Sequence, residues 1–230
     1  QMLMKIFRDR KSFPVIDLTF LPPNKEKIRG HRDGTNVNTV VTHVTAVEGG
    51  FGPGSTRMRK WQHMLDQSNV RPVLMKQLEG FPEEHHAHLL ALWERYSGLP
   101  YHWMGVRAIK GHVIHNLFPS VYSYHAGIGN KRSVGWALDC QHDEELSEEL
   151  IKAGRESLRR CIQEVRNVCN GTVYVQAHRN YSNMRTNDPG HNVWSQIVMP
   201  VVADIPYAQI NNDLSKGSGK PIPDSWGEGA

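Results

Sequence analysis

Apolar and polar positions along this chain switch repeatedly between a period of two and a period near four. Thr39-Val40-Val41-Thr42 is a β-branched run that predicts a buried strand, and it carries His43 at its carboxyl end. Residues 101–106 and 112–117 predict a hairpin turning at Lys110-Gly111, and Ser133 to Leu138 predicts a further strand. Leu150, Ile151, Leu158, Cys161, Ile162, Val165 and Val168 fall at helical spacing between Ser147 and Val168, and Asn170-Gly171 is a stop signal. Thr172 to Val175 then returns as a strand ending near His178. Two more helices are expected, one over 55–67 and one opening at Pro82 and closing near Gly98. The glycine-rich segment Glu48 to Gly54 reads as a loop, either the mobile wall of a groove or no more than a connector. Strands interleaved with helices predict an α/β fold, a single domain with a mixed central β-sheet flanked by helices.

The two ends differ from this middle. Residues 1–37 hold Pro14, Pro22 and Pro23 with little periodicity, and read as an extended basic arm with one short strand around Val15 to Leu18. Residues 38–203 form the body, and 204–230, rich in Asn, Ser, Gly and Pro, read as a tail packing on the body or extending from it. The formal net charge is +4, and the arm up to Gly34 accounts for it with Lys5, Arg8, Arg10, Lys11, Lys25, Lys27, Arg29 and Arg32 against Asp9, Asp17, Glu26 and Asp33. A basic arm on a neutral body suits an anionic wall polymer or membrane surface. The chain shows no nucleic-acid motif, so no nucleic-acid partner is expected. There is no apolar run of membrane-span length, and no apolar stretch with a cleavage site follows the basic start. The expected setting is therefore a protein made in the cytoplasm without a signal peptide. Three cysteines, with no Cys-x-x-Cys pair, read as reduced thiols.

Candidate chemistry rests on histidine and aspartate. Thirteen histidines are many, but their placement matters more than the count. His43 and His178 each close a predicted strand, and Asp188 lies ten residues beyond His178 across a polar loop that can fold it back. Two neutral imidazoles and a carboxylate would form a three-ligand metal site with a fourth position for water; spacing alone leaves this open. His85, His86 and His88 fall on a predicted helix and read as a solvated face. There is no His-Glu-x-x-His motif, no Walker-type loop and no Gly-x-Ser-x-Gly elbow.

Four ordered segments carry a family resemblance: Val40-Val41-Thr42-His43-Val44-Thr45; Tyr101-His102-Trp103-Met104-Gly105-Val106; Ser123-Tyr124-His125-Ala126-Gly127 with Ser133-Val134-Gly135; and Ala177-His178-Arg179 through Asp188-Pro189-Gly190. Together they resemble the type 2 N-acetylmuramoyl-L-alanine amidases, which include phage lysins, muropeptide-recycling amidases and peptidoglycan recognition proteins. The resemblance runs over about residues 38–200, and the segment from Gly219 to Trp226 looks like the tail of some phage lysins.

The resemblance implies a zinc amidase domain over 38–203, with Zn2+ held by His43, His178 and Asp188 in a groove at one sheet edge. It further implies that Tyr101 and Thr186 are catalytic, Tyr101 orienting water or assisting proton transfer and Thr186 steadying the developing oxyanion. His125, His102 and Asn130 are implied to flank the substrate groove. The recycling amidases' glutamate position is Ala137 here, and the lysine many members carry two residues before the last ligand is Thr186. The implied partner is peptidoglycan and the implied reaction is hydrolysis of the amide between the muramic acid lactyl group and L-alanine, at the cell wall, in a phage-type endolysin. The alternative is a non-catalytic peptidoglycan-binding module.

Overall fold

The computed structural model describes residues 15–19, 27–46, 72, 75–76, 78–80, 82–84, 86–87, 90, 99–107, 112–214 and 218–227. Nine strands lie among them: β1 (Val15–Asp17), β2 (Ile28–His31), β3 (Thr39–Val44), β4 (Trp103–Val106), β5 (His112–His115), β6 (Val121–Ser123), β7 (Ser133–Leu138), β8 (Val173–Ala177) and β9 (Ala208–Ile210). Seven of these form one sheet in the order β1-β5-β4-β7-β3-β8-β9, while β2 and β6 pair separately and antiparallel. Within the large sheet only the β4–β5 pair is antiparallel. The fold is thus a mixed α/β domain around a mostly parallel sheet, as the interleaved pattern predicts.

The β-branched run of β3 sits at the middle of this sheet because it can be buried on both faces. All six of its residues are buried, as expected for a parallel strand with neighbours on both sides. Its register with β7 and β8 sets Val40 beside Val134 and Val175, and Thr42 beside Trp136 and Ala177. That row faces the main core. The alternate row, with Thr39, Val41 and His43 beside Ser133, Gly135 and Ala137, faces the other way.

The long helix α1 (Glu148–Cys169) covers the core face. Ser147 caps it by accepting the Leu150 amide at 3.3 Å, Glu148 and Glu149 fill its first turn, and Asn170 ends it in the left-handed conformation at φ 49°. Leu150, Leu158, Cys161, Ile162 and Val165 are all buried in the core. A second helical stretch, α2, runs from His191–Val193 through the π-turn Trp194–Val198 to Met199–Ala203 and joins the same core through Trp194, Ile197 and Val201.

Described segments toward either end of the chain are built into this frame. β1 borders β5, β9 is the strand beyond β8, and Trp226 is buried with its ring centroid 6.2 Å from that of Trp194. Arg32, counted among the basic residues of the arm, is turned inward: its Nε donates to the Pro119 carbonyl at 2.8 Å and a terminal nitrogen donates to the Asn130 carbonyl. Burial lowers its pKa to about 10. The expected helix over 55–67, the glycine-rich segment 48–54, the turn at Lys110-Gly111 and most of the expected helix over 82–98 lie outside the described residues. No helix among the described residues is long and apolar enough to cross a membrane.

The two sides of α1 differ sharply in what they contribute. Leu158→Ala, which empties part of the core, is expected to lower the unfolding free energy by about 3 kcal/mol. Arg159→Ala, which removes a half-exposed ion pair with Asp204, is expected to cost under about 1 kcal/mol. Chemical denaturation measures both, and equal losses would contradict the placement of the core on this face.

Candidate metal centre

The parallel strands β3 and β8 end side by side and deliver two imidazoles to the carboxyl edge of the sheet. His43 is the fifth residue of β3, and His178 opens the turn His178–Asn180 directly after β8. Asn180 fixes that turn by accepting the Ala177 amide at 2.9 Å. The loop beyond it then folds back. The Arg179 amide donates to the Asp188 carbonyl at 3.1 Å, and the Asp188 amide donates to the Arg185 carbonyl at 3.3 Å. Gly190 holds the loop's return, since it sits at φ +92° and a Cβ there would lie 2.0 Å from the His142 carbonyl oxygen. Only glycine fits this approach.

These constraints bring three ligand-type atoms together. His43 Nδ1 and His178 Nδ1 are 3.1 Å apart, His178 Nδ1 and Asp188 Oδ2 are 2.9 Å apart, and His43 Nδ1 and Asp188 Oδ2 are 3.9 Å apart. Zinc–nitrogen and zinc–oxygen bonds of about 2.0–2.2 Å in a tetrahedron set neighbouring ligand atoms roughly 3.3 Å apart, and the triangle matches that spacing. Protons alone satisfy it poorly. A well-directed Nδ1–H on His178 points at Asp188 or at His43, so one close edge lacks a proton for either tautomer. A cation within reach of all three atoms satisfies every edge. Asp188 Oδ1 meanwhile accepts the Val44 amide at 3.0 Å, which leaves Oδ2 turned toward the imidazoles. His43, His178 and Asp188 could therefore hold a metal ion.

Burial sets the electrostatics. His43 is 1% exposed and Asp188 4% exposed, while the His178 side chain keeps 14%. Loss of hydration holds the His43 pKa well below its usual value, and the nearby positive ends of His178, His125 and Arg185 push the same way. A neutral imidazole is the form a metal requires. Arg185, on the loop between the second and third ligands, carries a charge felt at His43 that the spacing of the motifs did not single out.

The other expected residues take distinct places. Tyr101 reaches the site, half-buried, with its ring centroid 5.1 Å from that of His43. Asn116 holds its backbone by donating to the Leu99 and Tyr101 carbonyls at 2.9 and 3.1 Å. Thr186 is exposed on the ligand loop, and its carbonyl accepts from Arg179. Ala137 lies beside His43 in the register, so no carboxylate stands there. His125, His102 and Asn130, implied to flank a groove, are all buried. The Nδ1 of His102 accepts the Gly135 amide at 3.1 Å, which fixes its proton on Nε2, and Nε2 donates to the Val121 carbonyl at 3.0 Å. Asn130 Oδ1 accepts the amides of His125 and Ala126 at 3.0 and 2.6 Å. His125 lies 3.2 Å from His43. Asn180, which braces the turn that opens with His178, carries no sequence signal beyond the frequency of Asn in turns.

Comparisons with known proteins were made for sequence and for structure. No family model matches the sequence, and no curated protein matches it. Among solved structures the chain is similar to the N-acetylmuramoyl-L-alanine amidase LysC from Clostridium intestinale, at 17% identity over 84% of this chain and 97% of that one, with a TM-score of 0.46. It is also similar to Drosophila peptidoglycan recognition protein SD, at 18% identity over 86% and 98% of the two chains and a TM-score of 0.49. The AmpD structure shares 16% identity over 77% of this chain and 91% of its own, with a TM-score of 0.45.

The buried neutral histidines make stability depend on pH. His102 is held well below its usual pKa of 6.5, first by burial, so the unfolded chain binds a proton there that the folded chain refuses. Stability from this group is full above about 6.5 and falls as pH drops below it, by at most about 1.4 kcal/mol per pH unit. Denaturant midpoints between pH 7.5 and 5.5 are expected to fall for the unchanged protein and to fall less steeply for His102→Gln. Identical slopes would show that His102 does not titrate on unfolding.

Proposed function

We propose that the protein is a zinc-dependent N-acetylmuramoyl-L-alanine amidase, which hydrolyses the amide between the muramic acid lactyl group and the L-alanine of the peptidoglycan stem peptide. The observation that carries this reading is the convergence of His43 Nδ1, His178 Nδ1 and Asp188 Oδ2 in a partly open position at the sheet's carboxyl edge. Two histidines and one carboxylate leave a zinc ion an open coordination position, which marks a catalytic rather than a structural site. A zinc ion there supplies Lewis-acid polarisation and activation of water toward an amide carbonyl.

The chain's own residues divide the remaining work. His43 and Asp188, both buried, keep the site dry behind the reacting group, and Val44 and His178 hold Asp188 in one orientation. The Tyr101 ring stands beside His43, where its hydroxyl is the group suited to orient water and pass a proton to the leaving amine. Thr186 presents its hydroxyl from the exposed ligand loop for the developing oxyanion. On the same sheet face a cavity of about 550 Å³ is lined in part by Tyr174, Gln176, Tyr181, Lys131, Arg132 and Asp213. Two cations and a carboxylate in one concavity suit a peptide that carries both charges, as a stem peptide does. The motif resemblance supplies the wall substrate and the endolysin setting.

Purified peptidoglycan incubated with the protein is expected to release stem peptides with a free N-terminal L-alanine, detected by mass spectrometry, and a zinc chelator is expected to abolish the release. Intact wall with protein bound to it, with and without chelator, would replace the amidase by a recognition module. Tyr101→Phe is expected to retain zinc and lose turnover by at least about 100-fold, the usual scale for a proton-handling group. Unchanged turnover would remove Tyr101 from the reaction.

A further inference from the structure

The two ring nitrogens of His43 face different partners. Nδ1 points to His178 and Asp188, and Nε2 lies 3.2 Å from Nδ1 of His125, with the two rings edge to face at 80°. His125 in turn reaches past His43, away from the ligand triangle, and its Nε2 lies 3.3 Å from both the carbonyl oxygen and the hydroxyl of Ser133.

The proton positions along this chain follow from one end to the other. If His43 Nδ1 gives its lone pair to a metal, its single proton is on Nε2 and is donated to His125. His125 Nδ1 must then be bare, so its own proton is on Nε2 and is donated to Ser133. The Ser133 hydroxyl can receive it because that hydroxyl's proton is spent on the Gly129 carbonyl at 2.9 Å. Every donor and acceptor is matched from the ligand triangle to the backbone.

We infer that His125 is the positioning residue of the metal centre, taking the Nε2 proton of His43 and thereby fixing that ring's tautomer and orientation for metal binding. The inference rests on the metal reading of His43, His178 and Asp188. A metal-bound histidine commonly donates its second ring nitrogen to an acceptor that fixes it, and losing that acceptor weakens metal binding about 10–100-fold.

The surroundings of His125 hold its ring in place. It is 7% exposed, and both of its ring nitrogens lie within hydrogen-bond distance of partners. Its ring lies directly on Gly135 of β7: a Cβ there would be 3.0 Å from the imidazole Cγ and 3.1 Å from Nδ1. Any larger residue at 135 would push Nδ1 off the line to His43. The backbone under the ring is held by Asn130, whose own carbonyl accepts from Arg32. Asn130 thus supports the ligand His43 through His125, and Arg32 does so one step further back through Asn130, although neither touches it.

The test measures zinc affinity by chelator competition for the full chain and two variants. The unchanged protein is expected to bind one zinc ion; absence of binding would overturn the metal reading itself. His125→Leu, of similar volume with no acceptor, is expected to weaken zinc about 10–100-fold. His125→Asn, whose Oδ1 stands near the position of Nδ1, is expected to recover most of that loss. A zinc-binding protein in which His125→Leu binds as tightly as the unchanged chain would overturn the positioning role and leave the metal reading standing. Nitrogen-15 NMR of the histidine rings in the unchanged zinc-loaded protein gives a second readout that needs no variant. His125 with its proton on Nε2 supports the inference, and a proton on its Nδ1 contradicts it.

Discussion

Parallel pairing of β3 with β8 places Thr42 opposite Ala177, so the next residue on each chain, His43 and His178, emerges at the same level of the sheet. A strand's side chains alternate between faces, and a slip of one residue would turn His43 into the core beneath α1. The register is held by burial. Val40, Val134 and Val175 on the core face, and Trp136 and Ala177 one step further, all fit only in this alignment. The chemistry at the carboxyl edge is therefore set by the same contacts that hold the fold.

Asp188 is added to this pair by a loop rather than by the sheet, and it is held there by the Arg179 amide on its carbonyl, the Val44 amide on its side chain and the tight seat of Gly190 two residues on. The result is a carboxylate buried against two imidazoles, of which His43 is disfavoured from protonating by its loss of hydration. An ion pair with a protonated His43 would oppose the desolvation that lowers its pKa. A divalent cation resolves the conflict, since it needs neutral imidazole and an ionised carboxylate together. His125, Asn130 and Arg32 then read as one continuous support running from the β2 side of the molecule to the back of His43.

Much of this was legible in the sequence, for reasons that can be located. The β-branched run at 39–42 announced β3, the seven apolar positions and the Ser147 and Asn170 caps announced α1, and the three ligand positions followed from the motifs and came together in the structure. What the sequence left unread depends on contacts between distant segments. The pairing of β2 with β6, the return of β9 beside β8 and the π-turn within α2 follow from tertiary packing rather than local pattern. His125 and His102 resemble groove residues in one dimension, and their burial becomes visible only once Gly135 brings β7 beneath them. Arg32 shares its composition with a solvated basic arm, and nothing local says that it turns inward to Pro119 and Asn130.

The central claim is that His43, His178 and Asp188 form one metal site, and X-ray absorption at the zinc edge addresses it most directly. The account predicts one zinc per chain, a first shell of nitrogen and oxygen at about 2.0–2.2 Å, outer-shell scattering from two imidazole rings, and loss of the signal in His178→Ala. A substoichiometric metal, or a first shell containing sulfur, would contradict it.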